Sequence, residues 1–289
     1  MILIADSGST KTDWALVGDN CTTVCNLQTE GITPIHQSEE HISMVLQSVA
    51  QMLSSQISDN SLLQNHPITS VYFYGSGIIA VKKAQMEQLL GKVFTHTEKI
   101  EAHGDLLGAA RALCGHRAGI ACILGTGANS CYYDGEQIVQ NTPPLGYILG
   151  DEGSGAVLGK LFLNAIFKGA LPSVLRDDYL QSVGMSYAEV IDRVYRQPMA
   201  NRFLASTSLY IGTHLSCEPL RQLVVDNFRA FVRFNVDAYH RRDLPINAIG
   251  SMAWHYREQL HEAVVAEGYT LGIVAKSPME GLVQYHGQC

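Results

Sequence analysis

The clearest indication of the fold lies near the start of the chain, in Ile2-Leu3-Ile4-Ala5-Asp6-Ser7-Gly8-Ser9-Thr10-Lys11-Thr12. A short apolar run ends in polar residues around one glycine, and apolar residues resume between positions 13 and 17. This pattern predicts a strand, a tight turn and a second strand. Glycine allows a backbone turn that would strain other residues, and the successive N–H groups of such a turn can form a concave anion site.

The polar side chains of this turn add to its potential as a phosphate site. Ser9, Thr10 and Lys11 supply donors and one positive charge, while Asp6 at the strand end is placed to hold Mg²⁺ through waters. The sequence differs from a Walker P-loop, since no Gly-Lys-Ser/Thr opens a helix here. An ordinary hairpin with polar turn residues remains the alternative, because glycine-rich turns recur without ligands.

The pattern of strand and glycine turn occurs a second time. An apolar run at 120–124 ends in Gly125-Thr126-Gly127-Ala128-Asn129, and the strands predicted at 71–74 and 246–249 end in Gly75-Ser76-Gly77 and Gly250-Ser251. Helices are predicted around 41–53, 81–90 and 105–114, and residues 151–242 are largely helical in pattern. Alternating strands and helices predict two α/β domains with mixed sheets flanked by helices and a ligand cleft between them. Unrelated glycine turns in a single domain are the alternative.

Two glycine loops in equivalent places fit a nucleotide whose phosphates are bound from both sides. Gly250-Ser251 would let an adenine or ribose pack against bare backbone, although a plain strand-to-helix turn explains these residues equally well. Asp105 follows Gly104 at a predicted helix start. It is either an N-terminal cap, which Asp favours, or a general base, and the sequence alone leaves both readings open.

A glycine-dense loop with two adjacent carboxylates reads Leu145-Gly146-Tyr147-Ile148-Leu149-Gly150-Asp151-Glu152-Gly153-Ser154-Gly155. One carboxylate could cap the helix that follows. The additional glycines favour close approach by a ligand, and a carboxylate beside such backbone suits bidentate contact with sugar hydroxyls. Turn formation alone is the alternative explanation.

The composition excludes several classes of protein. The 289 residues are 46% hydrophobic, so the chain can bury a substantial core. A net charge of -7 without a Lys/Arg block argues against nucleic-acid binding. Apolar runs are too short to span a membrane, and the first residues lack the pattern of a signal peptide, so we expect a cytoplasmic location. The seven cysteines and the histidines show no metal-ligand spacing.

Together these motifs resemble the superfamily of sugar kinases, heat-shock ATPases and actin. The chain is most similar to the N-acetylglucosamine kinase-like branch of the BadF/BadG/BcrA/BcrD ATPase family, over nearly its whole length. Residues 6–12 and 124–129 look like the two phosphate motifs, and residues 249–251 look like the adenosine motif. Gly150-Asp151-Glu152-Gly153-Ser154 matches the most specific family motif, and Asp105 falls where these kinases place the catalytic Asp.

The resemblance implies two ribonuclease-H-like (actin-like ATPase) domains, residues 1–116 and 117–275, with a C-terminal helix at about 276–289 packing back onto the first. It implies ATP, Mg²⁺ and phosphoryl transfer to the 6-hydroxyl of an amino sugar, with Asp105 as base and Asp6 near the metal. The implied nucleotide-binding residues are Ser7, Gly8, Ser9, Thr10, Lys11, Gly125, Thr126, Gly127, Gly250 and Ser251. The implied sugar-binding residues are Thr33, Gly75, Ser76, Gly77 and Asp151.

The resemblance also leaves alternatives. The turn Gly31-Ile32-Thr33-Pro34 departs from relatives that carry an Asn contacting the sugar. This departure leaves the exact sugar open. The alternatives are, in order, a muramic-acid-type amino-sugar kinase, an ATPase that activates a dehydratase, and a non-catalytic sugar sensor. The expected partner is an amino sugar, with neither nucleic acid nor membrane, and a homodimer is left open.

Overall fold

The computed structural model describes residues 1–8, 10–18, 21–56 and 67–287, so that Ser9 lies outside the described residues. The chain divides into two compact units. The first unit contains Met1–Arg117, Gly135–Gln137 and Ser277–Cys289, and the second contains Ala118–Asp134 and Ile138–Lys276. Each unit is built around one five-stranded mixed sheet.

The sheet of the first unit has the strand order β3-β2-β1-β4-β5. Its strands are β1 (Ile2–Ser7), β2 (Lys11–Val17), β3 (Thr23–Glu30), β4 (Ser70–Gly75) and β5 (Lys99–Gly104). β1 pairs antiparallel with β2 and parallel with β4, and β4 pairs parallel with β5. The helices of this unit are α1 (Glu39–Gln56), α2 (Ala80–Val93), α3 (Asp105–Cys114) and the C-terminal helix α12 (Met279–Gly287).

The alternation of β1 explains why helices cover both faces of this sheet. Successive side chains of a strand point to opposite faces, and residues 2–5 of β1 are all apolar. Leu3 and Ala5 are buried in the cluster formed with α1 and α2. Ile4, between them, is buried in the opposite cluster, with Leu282 of α12. A strand that is apolar on both faces is therefore covered on both.

The sheet of the second unit has the order β10-β9-β6-β7-β8. Its strands are β6 (Gly119–Leu124), β7 (Ala128–Tyr133), β8 (Ile138–Thr142), β9 (Ile246–Ile249) and β10 (Leu271–Ala275). Its helices are α4 (Gly146–Leu149), α5 (Gly155–Phe167), α6 (Ser173–Val183), α7 (Tyr187–Tyr195), α8 (Ala200–Thr213), α9 (Glu218–Phe231), α10 (Ser251–His255) and α11 (Arg257–Ala266). α9 continues directly into a π-helical turn, Val232–Val236.

The two sheets have the same topology. Read from the opposite edge, the second sheet is β8-β7-β6-β9-β10, with β6 antiparallel to β7 and parallel to β9, as β1 is to β2 and β4. The glycine turns after β1 and β6 are thus equivalent, and so are the glycines at the ends of β4 and β9. The predicted fold class, two mixed sheets flanked by helices, is confirmed.

The sequence pattern missed two edge strands of the first sheet, β3 and β5. β3 is largely exposed, and β5 reads Lys99-Ile100-Glu101-Ala102-His103-Gly104, with only Ala102 buried. Edge strands of this kind carry polar residues and lack a long apolar run, which is the signal that a sequence offers. In the part of the chain that the structure describes, no helix is both long and apolar enough to cross a membrane.

Candidate functional site

The carboxyl ends of β1, β4 and β5 bring three predicted site segments together in the first unit. Ser7 pairs with Gly75, and Gly75 pairs with Gly104. Because these strands are parallel, the turn after β1, the Ser76-Gly77 segment after β4 and Asp105 after β5 lie at one edge of the sheet. Ser76 also donates its backbone N–H to the carbonyl of Ser7, at 3.0 Å. This edge is where open α/β sheets bind ligands.

Two carboxyl groups at this edge, those of Asp6 and Asp105, are both desolvated. Burial, together with the charges of Asp105 and then Asp13, raises the pKa of Asp6 to about 7, while Lys11 opposes them. Burial also raises the pKa of Asp105, against the effect of a hydrogen bond from the N–H of Leu106. Two desolvated carboxyl groups that repel each other favour the uptake of a proton or a cation. Such perturbed groups are typical of functional sites.

Asp105 is the first residue of α3 and does not hold the N-cap position, which belongs to Gly104. Its carboxylate oxygen Oδ1 accepts a hydrogen bond from the N–H of the next residue, Leu106, at 2.9 Å. The interpretation of Asp105 as the N-cap is therefore wrong. The carboxylate follows directly after β5, and its role as a general base stays a prediction.

The first glycine turn is closed by a hydrogen bond from the N–H of Gly8 to the carbonyl of Lys11, at 2.9 Å. The Ser7 hydroxyl is buried and engaged within the protein, since it lies 2.7 Å from Thr12 Oγ1, donates to the carbonyl of Ile32 and accepts its N–H. The Ser7 hydroxyl therefore stabilises the turn through hydrogen bonds within the protein. Thr10 is exposed, and Lys11 is half-exposed, with its ammonium group 2.7 Å from Asp13.

The segment around Thr33, predicted to contact a sugar, lies against the glycines after β4. Gly77 has a positive φ of 82°, and a Cβ added there would lie 3.1 Å from Thr33 Cγ2. Gln37, which the sequence pattern did not single out, holds this turn. Its Oε1 accepts the N–H of Thr33 at 2.7 Å, and its Nε2 donates to the carbonyl of Gly31 at 2.8 Å.

The second unit presents an equivalent edge at the ends of β6 and β9. The N–H of Gly125 bonds to the carbonyl of Gly127 at 2.9 Å, and Thr126 is exposed. A Cβ added to Gly125 would meet no described atom within 4 Å, so the space above this glycine is open. Gly250, at a φ of 116°, lies so close to the backbone of Leu124 that a side chain would clash there. Ser251 is exposed at the start of α10.

Asp151 lies beside the second glycine loop. Its Oδ2 would be 3.1 Å from a Cβ added to Gly127, and its carboxylate accepts the N–H of Ala128. Its backbone is left-handed, with a φ of 55°, and burial raises its pKa. The idea that a carboxylate caps the next helix is wrong, because the N-cap of α5 is Ser154, whose hydroxyl accepts the N–H of Val157 at 3.1 Å.

A divalent cation fits the first unit only if waters and substrate phosphates supply most of its ligands. Across residues 1–8, 10–18, 21–56 and 67–287, no group of three or more His, Cys, Asp or Glu could hold a metal ion. Asp6 offers a carboxylate that desolvation penalises and that a cation would stabilise. This agrees with the usual Mg²⁺ site, which has one or two carboxylates, waters and substrate phosphates.

Comparison with known proteins gives strong structural matches. A candidate N-acetylglucosamine kinase from Porphyromonas gingivalis is 47% identical, with a TM-score of 0.91, over 100% of this chain and 99% of that one. A candidate N-acetylglucosamine kinase from Chromobacterium violaceum is 17% identical over 98% of both chains, with a TM-score of 0.69. A ROK hexokinase from Thermus thermophilus is 13% identical over 100% of this chain and 97% of that one, with a TM-score of 0.51.

The last two similarities, at 17% and 13% identity, show that the fold is shared. No family model matches the chain. A search of curated proteins also gave no match. The 47% identity extends over essentially all of both chains. The chain therefore belongs to the same family as the candidate N-acetylglucosamine kinase of Porphyromonas gingivalis.

Proposed function

We propose that this protein is an ATP-dependent sugar kinase of the N-acetylglucosamine kinase-like branch of the BadF/BadG/BcrA/BcrD ATPases. It transfers the γ-phosphoryl group of ATP to the 6-hydroxyl of N-acetylglucosamine or a related amino sugar. The observation that carries the proposal is the 47% identity, over the whole chain, to a candidate N-acetylglucosamine kinase. The partly buried carboxylate of Asp105 at the end of β5 supplies the chemistry that such a transfer needs.

Asp105 acts as the general base in this proposal. Its raised pKa, caused by burial, makes it a stronger proton acceptor than an exposed aspartate. In phosphoryl transfer the protein mainly positions the groups and balances charge, and an Asp accepts the proton of the attacking hydroxyl. Hydrogen bonds from the N–H groups of Leu106 and of Asp105 itself hold this carboxylate in place, where it would accept the proton of the sugar hydroxyl.

Asp6 would hold Mg²⁺ through waters. When bound, Mg²⁺ supplies positive charge that neutralises the phosphate oxygens. Asp6 then remains ionised at neutral pH, although burial disfavours that state in the protein alone. The N–H groups around Gly8, together with Thr10 and Lys11, bind phosphate oxygens, and Ser9 is proposed to do so with them.

The second unit binds the remainder of the nucleotide and part of the sugar. The open space over Gly125 and the exposed Thr126 suit phosphate oxygens, which approach the backbone N–H groups up to Gly127. Gly250 and Ser251 bind adenosine. Asp151 accepts hydrogen bonds from sugar hydroxyls, as charge-assisted contacts.

In the first unit, the sugar binds at the segment where Thr33 lies against Gly77. Gly75, the last residue of β4, and Ser76, which follows it, complete this pocket. Gln37 fixes the turn of Thr33 through two hydrogen bonds and so holds the pocket in shape.

Release of ADP from ATP and Mg²⁺, measured with N-acetylglucosamine, N-acetylmannosamine, muramic acid and glucose, tests the proposal. We expect turnover with an amino sugar, and loss of turnover in Asp105→Asn. Preference for muramic acid would replace the specific substrate while retaining the kinase. Tight sugar binding without turnover by the folded wild-type protein would contradict a kinase and favour a sensor.

A further inference from the structure

One helix face, on α9 and its π-helical continuation, is occupied by side chains that contact the acidic loop Asp151–Ser154. The Oδ1 of Asn227 accepts the N–H of Gly153 at 3.1 Å, and its Nδ2 donates to the carbonyl of Ser154 at 3.3 Å. The Nδ2 of Asn235 donates to the Oε2 of Glu152 at 3.2 Å. Both asparagines are buried, with 1% and 4% of their surface exposed.

Phe231, between the two asparagines, packs against the same loop. A Cβ added to Gly153 would lie only 2.8 Å from the Cβ of Phe231, so this position has room only for glycine. The φ of Gly153 is also positive, at 79°. The helix thus fixes the loop through the side chains of Asn227, Phe231 and Asn235, which lie four residues apart in the sequence.

The π-helical turn explains how Asn235 reaches the loop at all. In a regular α-helix a residue eight positions after Asn227 would lie about 80° around the axis. The turn Val232–Val236 is π-helical, and a π turn accommodates about one extra residue. Its later residues are therefore rotated back by roughly the angle of one residue, about 100°, which returns Asn235 close to the face of Asn227. Such single π turns are frequent at functional sites.

The π-helical turn is itself anchored to the hairpin that follows the second glycine loop. The carbonyl of Asn235 accepts hydrogen bonds from Thr142 Oγ1 at 2.8 Å and Ser130 Oγ at 3.4 Å. Ser130 is further bonded to the hydroxyl of Tyr239, at 2.7 Å. Asn235 is therefore held at both its main chain and its side chain, and the irregular turn has one defined position.

The acidic loop in turn determines the position of the second glycine loop. The N–H of Gly155 bonds to the carbonyl of Gly125 at 2.8 Å, and that of Ala156 bonds to the carbonyl of Thr126 at 3.2 Å. The carboxylate of Asp151 accepts the N–H of Ala128. A displacement of Asp151–Ser154 would therefore move the loop Gly125–Ala128 as well.

We propose that Asn227 and Asn235 are positioning residues, which hold the acidic loop and through it the second glycine loop in their ligand-binding conformation. This inference rests on the proposed function, in which those two loops bind the sugar and the nucleotide phosphates. Neither asparagine contacts the reacting atoms. Their effect is on the binding and orientation of both substrates, since one face of a single helix controls both loops.

Amide hydrogen exchange of the protein without ligands tests the positioning itself. In Asn227→Leu, which keeps the side-chain size but removes the amide, exchange at Gly155, Ala156 and Ala128 should rise on the order of tenfold, as for one lost hydrogen bond. Val224→Ala is the matched control, because Val224 is an apolar residue that is fully buried on the same helix, α9. That control should lower stability without raising exchange at these three amides.

Kinetics then separates positioning from general stability. Well below the melting temperature, we expect Asn227→Leu to raise the KM for ATP and for the sugar, and Val224→Ala to leave both unchanged. Asn235→Leu is a second variant, measured in the same way as Asn227→Leu. Among the hydrogen bonds described, the Asn235 side chain bonds only to Glu152, so we expect the loss of this amide not to prevent folding. Wild-type exchange and KM values in a folded Asn227→Leu or Asn235→Leu protein would overturn the inference. An inactive wild-type protein would instead overturn the proposed function, and the exchange data would still decide the positioning.

Discussion

Replacement of Asp6 by asparagine should make the protein more stable and inactive. Burial and the neighbouring charges raise the pKa of Asp6 from 3.8 to about 7 in the folded chain. The folded state therefore binds this proton more tightly than the unfolded state does. The contribution of the protonated Asp6 carboxyl group to the free energy of unfolding is therefore fully present below pH 4. It is lost as the pH rises toward 7. The asparagine side chain of the variant carries no charge at any of these pH values, and so this loss would not occur.

The magnitude follows from the two pKa values. Their difference corresponds to about 4 kcal/mol in the free energy of unfolding, at about 1.4 kcal/mol for each pH unit. Most of that difference develops between pH 4 and pH 7. We expect Asp6→Asn to exceed the wild type by roughly 2–4 kcal/mol at pH 8 and by little at pH 4.

Urea unfolding at a series of pH values, with no metal or nucleotide, measures this difference. Asp243→Asn is the matched control, because it removes one charge from an exposed site where Arg241 lowers the pKa of Asp243. That control should show no gain at pH 8. Adding Mg²⁺ to the ADP-bound protein should raise the melting temperature of the wild type and not of Asp6→Asn. The reasoning is refuted if Asp6→Asn and the wild type show the same dependence of stability on pH.

Three further substitutions test the other site residues. Asp105→Asn keeps an acceptor for the N–H of Leu106 and should lower kcat by about 10²–10⁴-fold with little change in melting temperature; near-normal kcat would exclude it as the base. Gly125→Ala adds a methyl group into open space, so the free protein should keep its stability while ATP affinity, measured by calorimetry, falls; unchanged affinity would mean that no phosphate approaches this glycine. Asp151→Asn suits the left-handed backbone and should raise the sugar KM about 10–100-fold, as for one charged hydrogen bond; a lowered melting temperature with unchanged KM would mean that Asp151 only holds the loop of Ala128.

The fold could be predicted from the sequence where apolar runs end in glycine turns. The stretch Ile2–Thr12 and its later counterpart predicted the two equivalent hairpins, and the helix at Asp105 begins where the pattern placed it. The edge strand Lys99–Gly104 could not be recognised, because a polar strand is specified by pairing with its neighbour and not by its own composition.

The candidate site was predictable only in part, for a related reason. Glycines and carboxylates at the ends of apolar strands are visible in one dimension. The contributions of Gln37, Asn227 and Asn235 depend on which loop each amide meets after folding. A partial signal did exist, because the polar residues Asn227 and Asn235 flank Phe231 at spacings of four in a largely apolar pattern. Helical periodicity could identify the face of Asn227, but not the π-helical turn that brings Asn235 onto it.

The division of the first unit among distant parts of the chain has a consequence for its synthesis on the ribosome. Ile4, Ala15 and Val17 form one buried face with Leu282 and Val283 of α12. These first strands emerge long before that helix, whereas the whole second unit, Ala118–Asp134 and Ile138–Lys276, has been synthesised once the ribosome has passed Lys276. The nascent first sheet must therefore keep one apolar face uncovered until α12 has been synthesised and has left the ribosome, and chaperones would meet that face. Truncation before Met279 would make the exposure permanent and lead to aggregation rather than to a smaller folded protein.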